Sequence, residues 1–199
     1  MTEAQVTTPS AATVHEAAGQ RGALPSAIQA IAPWCRVGGT AFTVRTPPRD
    51  NLWIHRAIYA AQPGDVLVVD TGQAFEAGYW GELMTHAARA VSLGGLVIDG
   101  RVRDREVLER LGFPIFSRGV CLRGTTKAQD GPGALNVPIH IGDVTVEPGD
   151  FVVGDRDGVT VVPAAEQAEV LQRSAEREAH ETSIINRLRE GQRLLDLVT

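Results

Sequence analysis

The sequence has a single lysine, two cysteines and no long apolar run, and these shortages exclude several classes of protein. Cys35 and Cys121 stand far apart and form no Cys-x-x-Cys pair, so we expect a reducing, cytoplasmic location rather than a disulfide scaffold. No apolar run approaches the roughly 18 residues that span a membrane. The first 12 residues lack the apolar stretch of a signal peptide. We therefore expect a cytoplasmic protein with no membrane partner.

An excess of positive charge is also missing. Asp and Glu number 24 against 19 Lys and Arg, which gives a net charge of −5. Nucleic-acid binding requires a basic face, so we expect no nucleic-acid partner. With 199 residues, 43% hydrophobic and 22% charged, the chain has the composition of one soluble globular domain.

Helix and strand patterns alternate along the chain and predict a single α/β domain. Residues 1–12 are expected to form a disordered tail, residues 13–163 the domain, and residues 164–199 a C-terminal helical extension. A capping box at Thr13–Glu16 predicts the start of the first helix, and residues 25–32 are predicted to be helical too. Because the C-terminal helix has a narrow apolar seam, we expect it to pack on the domain or on a neighbouring subunit.

The stretch from Gly78 to Asp104 carries the strongest functional signal. It predicts a helix beginning at Gly81, a buried strand at 96–98 between glycines, and then Arg103-Asp104. A helix of about 12 residues runs about 18 Å, and a strand of about five residues returns about 16 Å. The helix start and Arg103-Asp104 should therefore meet at one edge of the sheet, where open α/β folds bind ligands.

The groups at this edge favour an anionic ligand. The backbone N–H groups of Glu82, Leu83 and Met84 have no partner within their own helix, so they attract an anion. Arg103 offers a planar fork that fits a carboxylate or a phosphate. Small acidic molecules are therefore the expected ligands.

The same edge also carries two carboxylates. Asp104 and Glu82 are hard oxygen ligands suited to Mg²⁺ or Mn²⁺, which predicts a metal-assisted site. The alternative is that Arg103 and Asp104 form only a surface ion pair, with Asp104 capping the helix that begins at Arg105. The spacing alone leaves both interpretations open.

Glu82, twenty intervening residues and Arg103-Asp104 resemble the acidic-x20-Arg-Asp signature of the class II pyruvate aldolases. Those enzymes act on 4-hydroxy-4-methyl-2-oxoglutarate and 4-carboxy-4-hydroxy-2-oxoadipate, and their superfamily includes the regulator of ribonuclease activity A. The resemblance covers roughly residues 12 to 198. Further segments resemble the family in order, namely ATVHEAAGQRG, DNLWIHRA, VIDGRVRD, GFPIFSRG, NVPIHIGDVTVEPGDFVVGDRDGVTVVP and REAHE.

The resemblance implies an RraA-like fold of α/β/β/α layers, of the swivelling β/β/α type, with a long C-terminal helix. It also implies a homotrimer or a dimer of trimers. One position departs from the signature, because Glu82 stands where the aldolases carry Asp. Glutamate is one methylene longer, which leaves open whether Glu82 meets the metal directly or through water.

The resemblance further implies an active site and a mechanism. Asp104 would bind Mg²⁺ or Mn²⁺, while the backbone from Gly81 through Glu82 and Leu83 to Met84 would hold the substrate carboxylate. Arg103 would contact that carboxylate and the enolate oxygen. A water held by Glu82 would take the proton of the C4 hydroxyl, which makes Arg103, Asp104 and Glu82 the implied catalytic residues.

Other residues are weaker candidates. The resemblance implies that Glu178 or Glu181 of a neighbouring chain reaches the metal-bound waters, and a solvated charge run is the alternative. Asn51 and His55 lie one helical turn apart on a face directed at the pocket, where a structural role is favoured for His55. Arg123 is either a second anion contact or a surface arginine.

The single lysine bears on the reaction class. Pyruvate aldolases stabilise their enolate with either a lysine Schiff base or a divalent metal. A Schiff-base lysine needs a desolvated pocket, whereas Lys127 is predicted to lie in a flexible loop. We therefore expect the metal route, no pyruvate adduct on Lys127 after borohydride reduction, and most activity retained without this side chain.

Three functions follow from the sequence. The first is a metal-dependent aldolase that cleaves a 4-hydroxy-2-oxo acid to pyruvate and a second oxo acid, with oxaloacetate decarboxylation as a side reaction. The second is a non-catalytic regulator that binds a ribonuclease. The third is a lyase or decarboxylase of another pathway on the same scaffold. The loops at 71–79 and 118–134 are expected to determine substrate choice.

Overall fold

A computed structural model describes residues 9–198 of the chain. The predicted tail at 1–12 therefore lies mostly outside the described residues. Within the described range, no helix has both the length and the apolar character needed to cross a membrane.

The described residues form six α-helices and twelve strands. The helices are α1 (Ala11–Ala17), α2 (Leu52–Ala60), α3 (Glu82–Ala90), α4 (Arg105–Leu111), α5 (Gln167–Arg189) and α6 (Leu195–Val198), with a 3-10 turn at Ala164–Glu166. The strands are β1 (Gln29–Ala30), β2 (Val37–Arg45), β3 (Val66–Asp70), β4 (Gly78–Trp80), β5 (Gly95–Asp99), β6 (Arg101–Val102), β7 (Ile115–Ser117), β8 (Ala134–Leu135), β9 (Ile139–Ile141), β10 (Val144–Val146), β11 (Phe151–Asp155) and β12 (Gly158–Val162).

One large sheet organises the domain. Its strand order is β1-β7-β5-β3-β2-β11-β12, with β8 paired to β2. The four central strands β7, β5, β3 and β2 run parallel, while β1, β8, β11 and β12 are antiparallel to their neighbours. β3 and β5 are buried along almost their whole length, as expected of parallel strands covered on both faces.

The sheet nearly closes on itself. The segment at 22–24 forms backbone hydrogen bonds with β12. Leu24 N donates to Val159 O and Val161 N donates to Gly22 O, both at 2.9 Å. That segment then leads into β1 at the opposite end of the strand order. The predicted mixed α/β domain with a long C-terminal helix is therefore confirmed.

A small second sheet positions the Arg103-Asp104 segment. β4 pairs in parallel with β6, which places Trp80 beside Val102. The Arg103 amide donates to Trp80 O at 2.8 Å and continues the pairing by one residue. Because β4 runs directly into α3 and β6 directly into α4, the starts of these two helices are brought side by side.

Two helix predictions were wrong. The first helix begins one turn earlier than Thr13, because Ser10 Oγ accepts the Thr13 amide at 3.0 Å and serves as the N-cap. Residues 25–32 form a turn followed by β1 rather than a helix. Gln29 and Ala30 pair with β7, so sheet pairing overrides the local helical pattern.

The C-terminal helix contacts the domain only through its beginning. α5 packs against α1 near Val170 and Ser174, the only buried residues of this helix. Its remaining turns carry mostly charged, exposed side chains, with Ile185 46% exposed. The predicted long C-terminal helix is therefore present, and its distal half contacts little of the sheet domain.

Candidate functional site

A cavity of about 200 Å³ opens where α2, α3, β6 and the loop after Gly124 meet. Every residue that the sequence assigned to the site lines this cavity, namely Gly81, Glu82, Leu83, Met84, Arg103 and Asp104. These residues form one wall, called here the Arg–Asp wall. A second wall, called here the Lys127 wall, consists of Asn51, His55, Thr125 and Lys127.

A larger cavity of about 490 Å³ lies elsewhere, between α1 and the segments around β10 and β12. Most of its charged groups already have partners, since Arg21 Nη2 lies 2.7 Å from Glu166 Oε2 and Arg21 Nε donates to Ala18 O. Asp150 there accepts the backbone amides of Glu147 and Ala164. The smaller cavity is therefore the better candidate for chemistry.

Asp104 joins the start of α3 to the Arg103-Asp104 segment within the Arg–Asp wall. Its Oδ2 accepts the backbone amide of Glu82 at 3.0 Å and lies 3.8 Å from Arg103 Nε. Asp104 adopts a left-handed backbone with φ of 62°, an uncommon conformation for a residue other than glycine. Asp104 occupies the N-cap position of α4, as the alternative predicted, but its side chain makes no capping bond to that helix.

Two amides at the start of α3 remain available to a ligand. Glu82 N–H is taken by Asp104, whereas Leu83 N–H and Met84 N–H meet no acceptor within residues 9–198. Such amides at a helix start bind anions. Because Arg103 lies on the same wall and is half exposed, the wall combines amide donors with a guanidinium.

Glycine is required at two positions behind this wall. A Cβ at Gly81 would collide with Asp104 Oδ2 and lie 3.2 Å from Arg103 Cγ. A Cβ at Gly78 would collide with Cys121 O and lie 3.1 Å from Arg103 Cβ. A side chain at Gly78 or Gly81 would therefore take space that Arg103 and Asp104 now occupy.

Buried contacts fix the beginning of α3. Trp80 is fully buried, donates from Nε1 to Thr85 Oγ1 at 2.6 Å and stacks on Phe113 with ring centroids 6.1 Å apart. Thr85 Oγ1 also donates to Gly81 O at 3.2 Å. These contacts hold the helix start, and with it the Leu83 and Met84 amides, against the core.

Buried Asp50 holds the Lys127 wall together. Its carboxylate accepts the amides of Ala128 at 2.6 Å and Leu52 at 2.9 Å, and the Thr126 hydroxyl at 2.9 Å. Burial by itself would raise the pKa of Asp50, but these hydrogen bonds and the charge of Lys127 hold it below its usual value. Asp50 thereby ties the loop that bears Lys127 to the start of α2.

Asn51 presents an unpaired acceptor among the cavity-lining residues. Its Nδ2 donates to Tyr79 O at 2.8 Å and contacts Met84 Sδ at 3.6 Å, which fixes the orientation of the amide. The buried Oδ1 has no hydrogen-bond partner in the structure. A buried unpaired acceptor is costly, so this atom favours a ligand that brings a donor.

His55 lies one turn further along α2 and is partly buried. Burial lowers its pKa, and the charge of Lys127 lowers it further. His55 is therefore neutral at neutral pH and can accept or donate a hydrogen bond. The sequence favoured a structural role for this histidine, whereas the structure places it on the cavity wall.

The two carboxylates of the cavity fit a divalent metal whose other ligands are waters and substrate oxygens. Within residues 9–198, no three of His, Cys, Asp and Glu come together as a metal site. Asp104 and Glu82 supply the two carboxylates of the cavity, and the Glu82 carboxylate lies 4.0 Å from His86 Nε2. Mg²⁺ is commonly held by one or two carboxylates, with waters and substrate oxygens completing an octahedron.

Three further candidates lie away from the cavity. Arg123 points to Glu76, whose Oε2 is 4.0 Å from its Nη1. Glu181 pairs with Arg177 at 2.9 Å on exposed α5, and Glu178 is exposed on the same helix. Neither glutamate lines the cavity of its own chain.

Sequence reasoning gave no role to Lys127. Lys127 lies in a loop, as predicted, and the structure shows that this loop borders the cavity. The contacts that bring the loop to the cavity join Asp50 to Thr126 and Ala128, which follow it by 76 and 78 positions. No local motif predicts such distant contacts.

Known proteins resemble this chain over most of its length. The model of the RraA-like family, described as Aldolase/RraA, matches residues 11–161. A Halalkalibacterium halodurans protein named "Putative 4-hydroxy-4-methyl-2-oxoglutarate aldolase" is 38% identical over 156 residues, which is 78% of this chain and 73% of that protein.

Two solved structures extend the comparison. An uncharacterized protein from Pseudomonas syringae pv. tomato superposes with a TM-score of 0.83 at 33% identity, covering 95% of this chain and 88% of that one. The structure described as the RNA-processing inhibitor RraA from Thermus thermophilis gives a TM-score of 0.71 at 25% identity, covering 79% of this chain and 94% of that one.

Proposed function

The chain belongs to the Aldolase/RraA family, and from that premise we propose that it is a metal-dependent pyruvate aldolase. It cleaves a 4-hydroxy-2-oxo acid, such as 4-hydroxy-4-methyl-2-oxoglutarate or 4-carboxy-4-hydroxy-2-oxoadipate, to pyruvate and a second oxo acid. The observation that carries the proposal is the Arg–Asp wall, where two unpaired amides, Arg103 and Asp104 face one cavity. The relative named as an aldolase supports it.

The wall suits the carboxylate end of the substrate. The Leu83 and Met84 amides and the Arg103 guanidinium together offer several donors to one carboxylate, and charge-assisted hydrogen bonds are the strong ones. Arg103 also contacts the 2-oxo oxygen. Substrate is thereby bound with its C3–C4 bond directed into the cavity.

Cleavage transfers charge to the oxygen that Arg103 contacts. The C4 hydroxyl loses its proton, the C3–C4 bond breaks, and its electron pair moves through C3 to the 2-oxo oxygen to give pyruvate enolate. Arg103 stabilises that oxygen because its charge and geometry are fixed before the reaction. Glu82 orients the water that accepts the hydroxyl proton, and protonation of C3 gives pyruvate.

Asp104 would hold Mg²⁺ or Mn²⁺, with Glu82 contacting the ion directly or through water. When bound, the ion supplies Lewis-acid polarisation of the oxo acid. Oxaloacetate decarboxylation produces the same enolate and is expected as a side activity.

A second candidate function is non-catalytic binding to a ribonuclease, which the similarity to the structure described as an RNA-processing inhibitor favours. Incubation with a panel of 4-hydroxy-2-oxo acids separates the two functions. Pyruvate release with Mg²⁺ or Mn²⁺, lost with EDTA and restored by fresh metal, supports the aldolase. No release from any substrate, together with stoichiometric ribonuclease binding, would overturn it.

We also propose that the chain works as a homotrimer or a dimer of trimers in the cytoplasm. Leu83 is 82% exposed beside the cavity, and the distal half of α5 contacts little of its own domain. A neighbouring chain could cover both surfaces and bring Glu178 or Glu181 to the site. Light scattering should give three or six times the 21.3 kDa chain mass, and a stable monomer would contradict the assembly.

A further inference from the structure

Lys127 is the only lysine of the chain, and its side chain lines the cavity beside residues already assigned to substrate. Gly124, three positions earlier, borders the same cavity, and a Cβ there would lie 4.0 Å from Arg103 Nη1. The loop therefore passes close to Arg103 before it reaches Lys127. Two cationic side chains thus contribute to one cavity of about 200 Å³.

The backbone on both sides of Lys127 is fixed. Thr126 donates its amide to Arg49 O at 2.8 Å, and its carbonyl accepts the Asn51 amide at 3.2 Å. Ala128 donates to buried Asp50 at 2.6 Å. These bonds fix the loop backbone, and the exposed Lys127 side chain extends from it to line the cavity.

The charge of Lys127 acts on nearby Asp50 without forming an ion pair with it. Within residues 9–198 it forms no ion pair with any carboxylate, and the nearby Asp50 carboxylate already accepts three hydrogen bonds. Neighbouring Asn51 adds a buried acceptor without a partner. Among the described residues, this wall therefore offers a cation without a direct ion-pair partner and a hydrogen-bond acceptor without a donor.

Resting on the aldolase function proposed above, we propose that Lys127 is a specificity-determining residue, whose ammonium group binds the anionic substituent that the substrate carries at C4. Arg103 and the α3 amides hold the carboxylate next to the oxo group, while Lys127 holds the second carboxylate. Lysine is a compact charge without a fixed fork, so it accepts a carboxylate in several orientations.

This role differs from a Schiff base, because the amine remains protonated and forms no bond to carbon. It also revises the expectation that removal of Lys127 would leave most activity. The revised expectation is a selective loss, confined to substrates with the second carboxylate.

Kinetics on two substrates tests the assignment. We compare kcat/KM for 4-hydroxy-4-methyl-2-oxoglutarate, with two carboxylates, and for 4-hydroxy-2-oxopentanoate, with one. Lys127→Gln should reduce the ratio of the two values about 10- to 100-fold, the range for loss of a hydrogen bond to a charged group. Lys127→Arg should restore most of it. Arg89→Gln, which removes an exposed charge outside the cavity, should leave the ratio unchanged.

An equal loss on both substrates would show a structural role, and an unchanged ratio would show no role; either result overturns the proposal.

A second readout does not depend on turnover. Reductive methylation with ¹³C-formaldehyde keeps the charge and labels one side-chain amine, since Lys127 is the only lysine. With Mg²⁺ present, 2-oxoglutarate should shift the Lys127 NMR signal, and 2-oxobutyrate should shift it much less. A selective shift from a protein that cleaves no substrate would refute the aldolase and retain the anion contact. Equal shifts, or none, would refute the contact.

Discussion

The two walls of the cavity are built in opposite ways. The Arg–Asp wall comes from neighbouring segments, and its joining hydrogen bond, from Glu82 N to Asp104 Oδ2, spans 22 positions. The Lys127 wall depends on Asp50, which reaches across 76 and 78 positions to Thr126 and Ala128. One wall is therefore a property of a local helix–strand unit, and the other a property of the whole fold.

The comparison predicts different failures for the two walls. Changes in the Arg–Asp wall should remove chemistry while the fold persists, because its side chains are partly exposed. Changes that break the hydrogen bonds of the Lys127 wall should mainly lower the free energy of unfolding, because Asp50, which accepts those bonds, is buried. The following variants test this difference.

Asp104→Ala should have the largest effect. It removes the proposed metal ligand and the partner of the Glu82 amide, so metal-dependent pyruvate release should fall by at least about 10³-fold, and excess Mg²⁺ should restore little. Glu106→Ala, two positions later on exposed α4, is the matched control and should retain activity. Near-normal turnover in Asp104→Ala would mean that Arg103 and Asp104 are only a surface ion pair.

Gly81→Ala should have the next largest effect. The added Cβ would displace the Asp104 carboxylate, and a displacement of about 1 Å can cost about 10²-fold in rate. Overpacking should also lower the free energy of unfolding by about 1–3 kcal/mol. Gly124→Ala is the control, because its Cβ would meet only Arg103 Nη1 at 4.0 Å. Equal kinetics in the two variants would refute the tight packing of this wall.

Asp50→Ala should act mainly on stability. It leaves the amides of Leu52 and Ala128 without their acceptor, whereas the Thr126 hydroxyl keeps Arg49 O at 3.2 Å. Because the two amides are only partly buried, each should cost about 1–2 kcal/mol, and chemical denaturation should show a loss of about 2–4 kcal/mol. Asp65→Ala removes a half-buried turn carboxylate that accepts a single backbone amide, from Gln62, and should cost less. A loss no larger than that of Asp65→Ala would show that the Lys127 wall does not depend on Asp50.

The smallest effect concerns pH. The pKa of His55 is lowered in the folded protein, so the unfolded chain binds that proton more readily. His55 therefore stabilises the folded protein fully above about pH 6.5, and this stabilisation declines as the pH falls towards the lower pKa of the folded state. His55→Gln should therefore flatten the decline in unfolding free energy below pH 6.5. Asp50 stabilises the folded protein fully above about pH 4, and this contribution is lost only as the pH falls below about 4, through its depressed folded pKa.

This contrast also explains what the sequence could reveal. The Arg–Asp wall was predictable because helix and strand rises fix where Arg103 returns relative to Gly81. Residues 25–32 were assigned to a helix, because nothing local indicates that Gln29 and Ala30 pair with β7. Lys127 was missed for the same reason, since its position depends on distant hydrogen bonds to Asp50.

The central claim is that the Arg–Asp wall stabilises pyruvate enolate, and exchange of the pyruvate methyl protons tests it most directly. In D₂O with Mg²⁺, NMR should show loss of the methyl signal with the wild-type protein and with Arg105→Lys, whose altered side chain is in an exposed surface ion pair. Arg103→Lys keeps the charge but loses the planar fork, so exchange should slow by about 10²–10³-fold. Equal exchange in Arg103→Lys, or none in the metal-loaded wild type, would contradict the account.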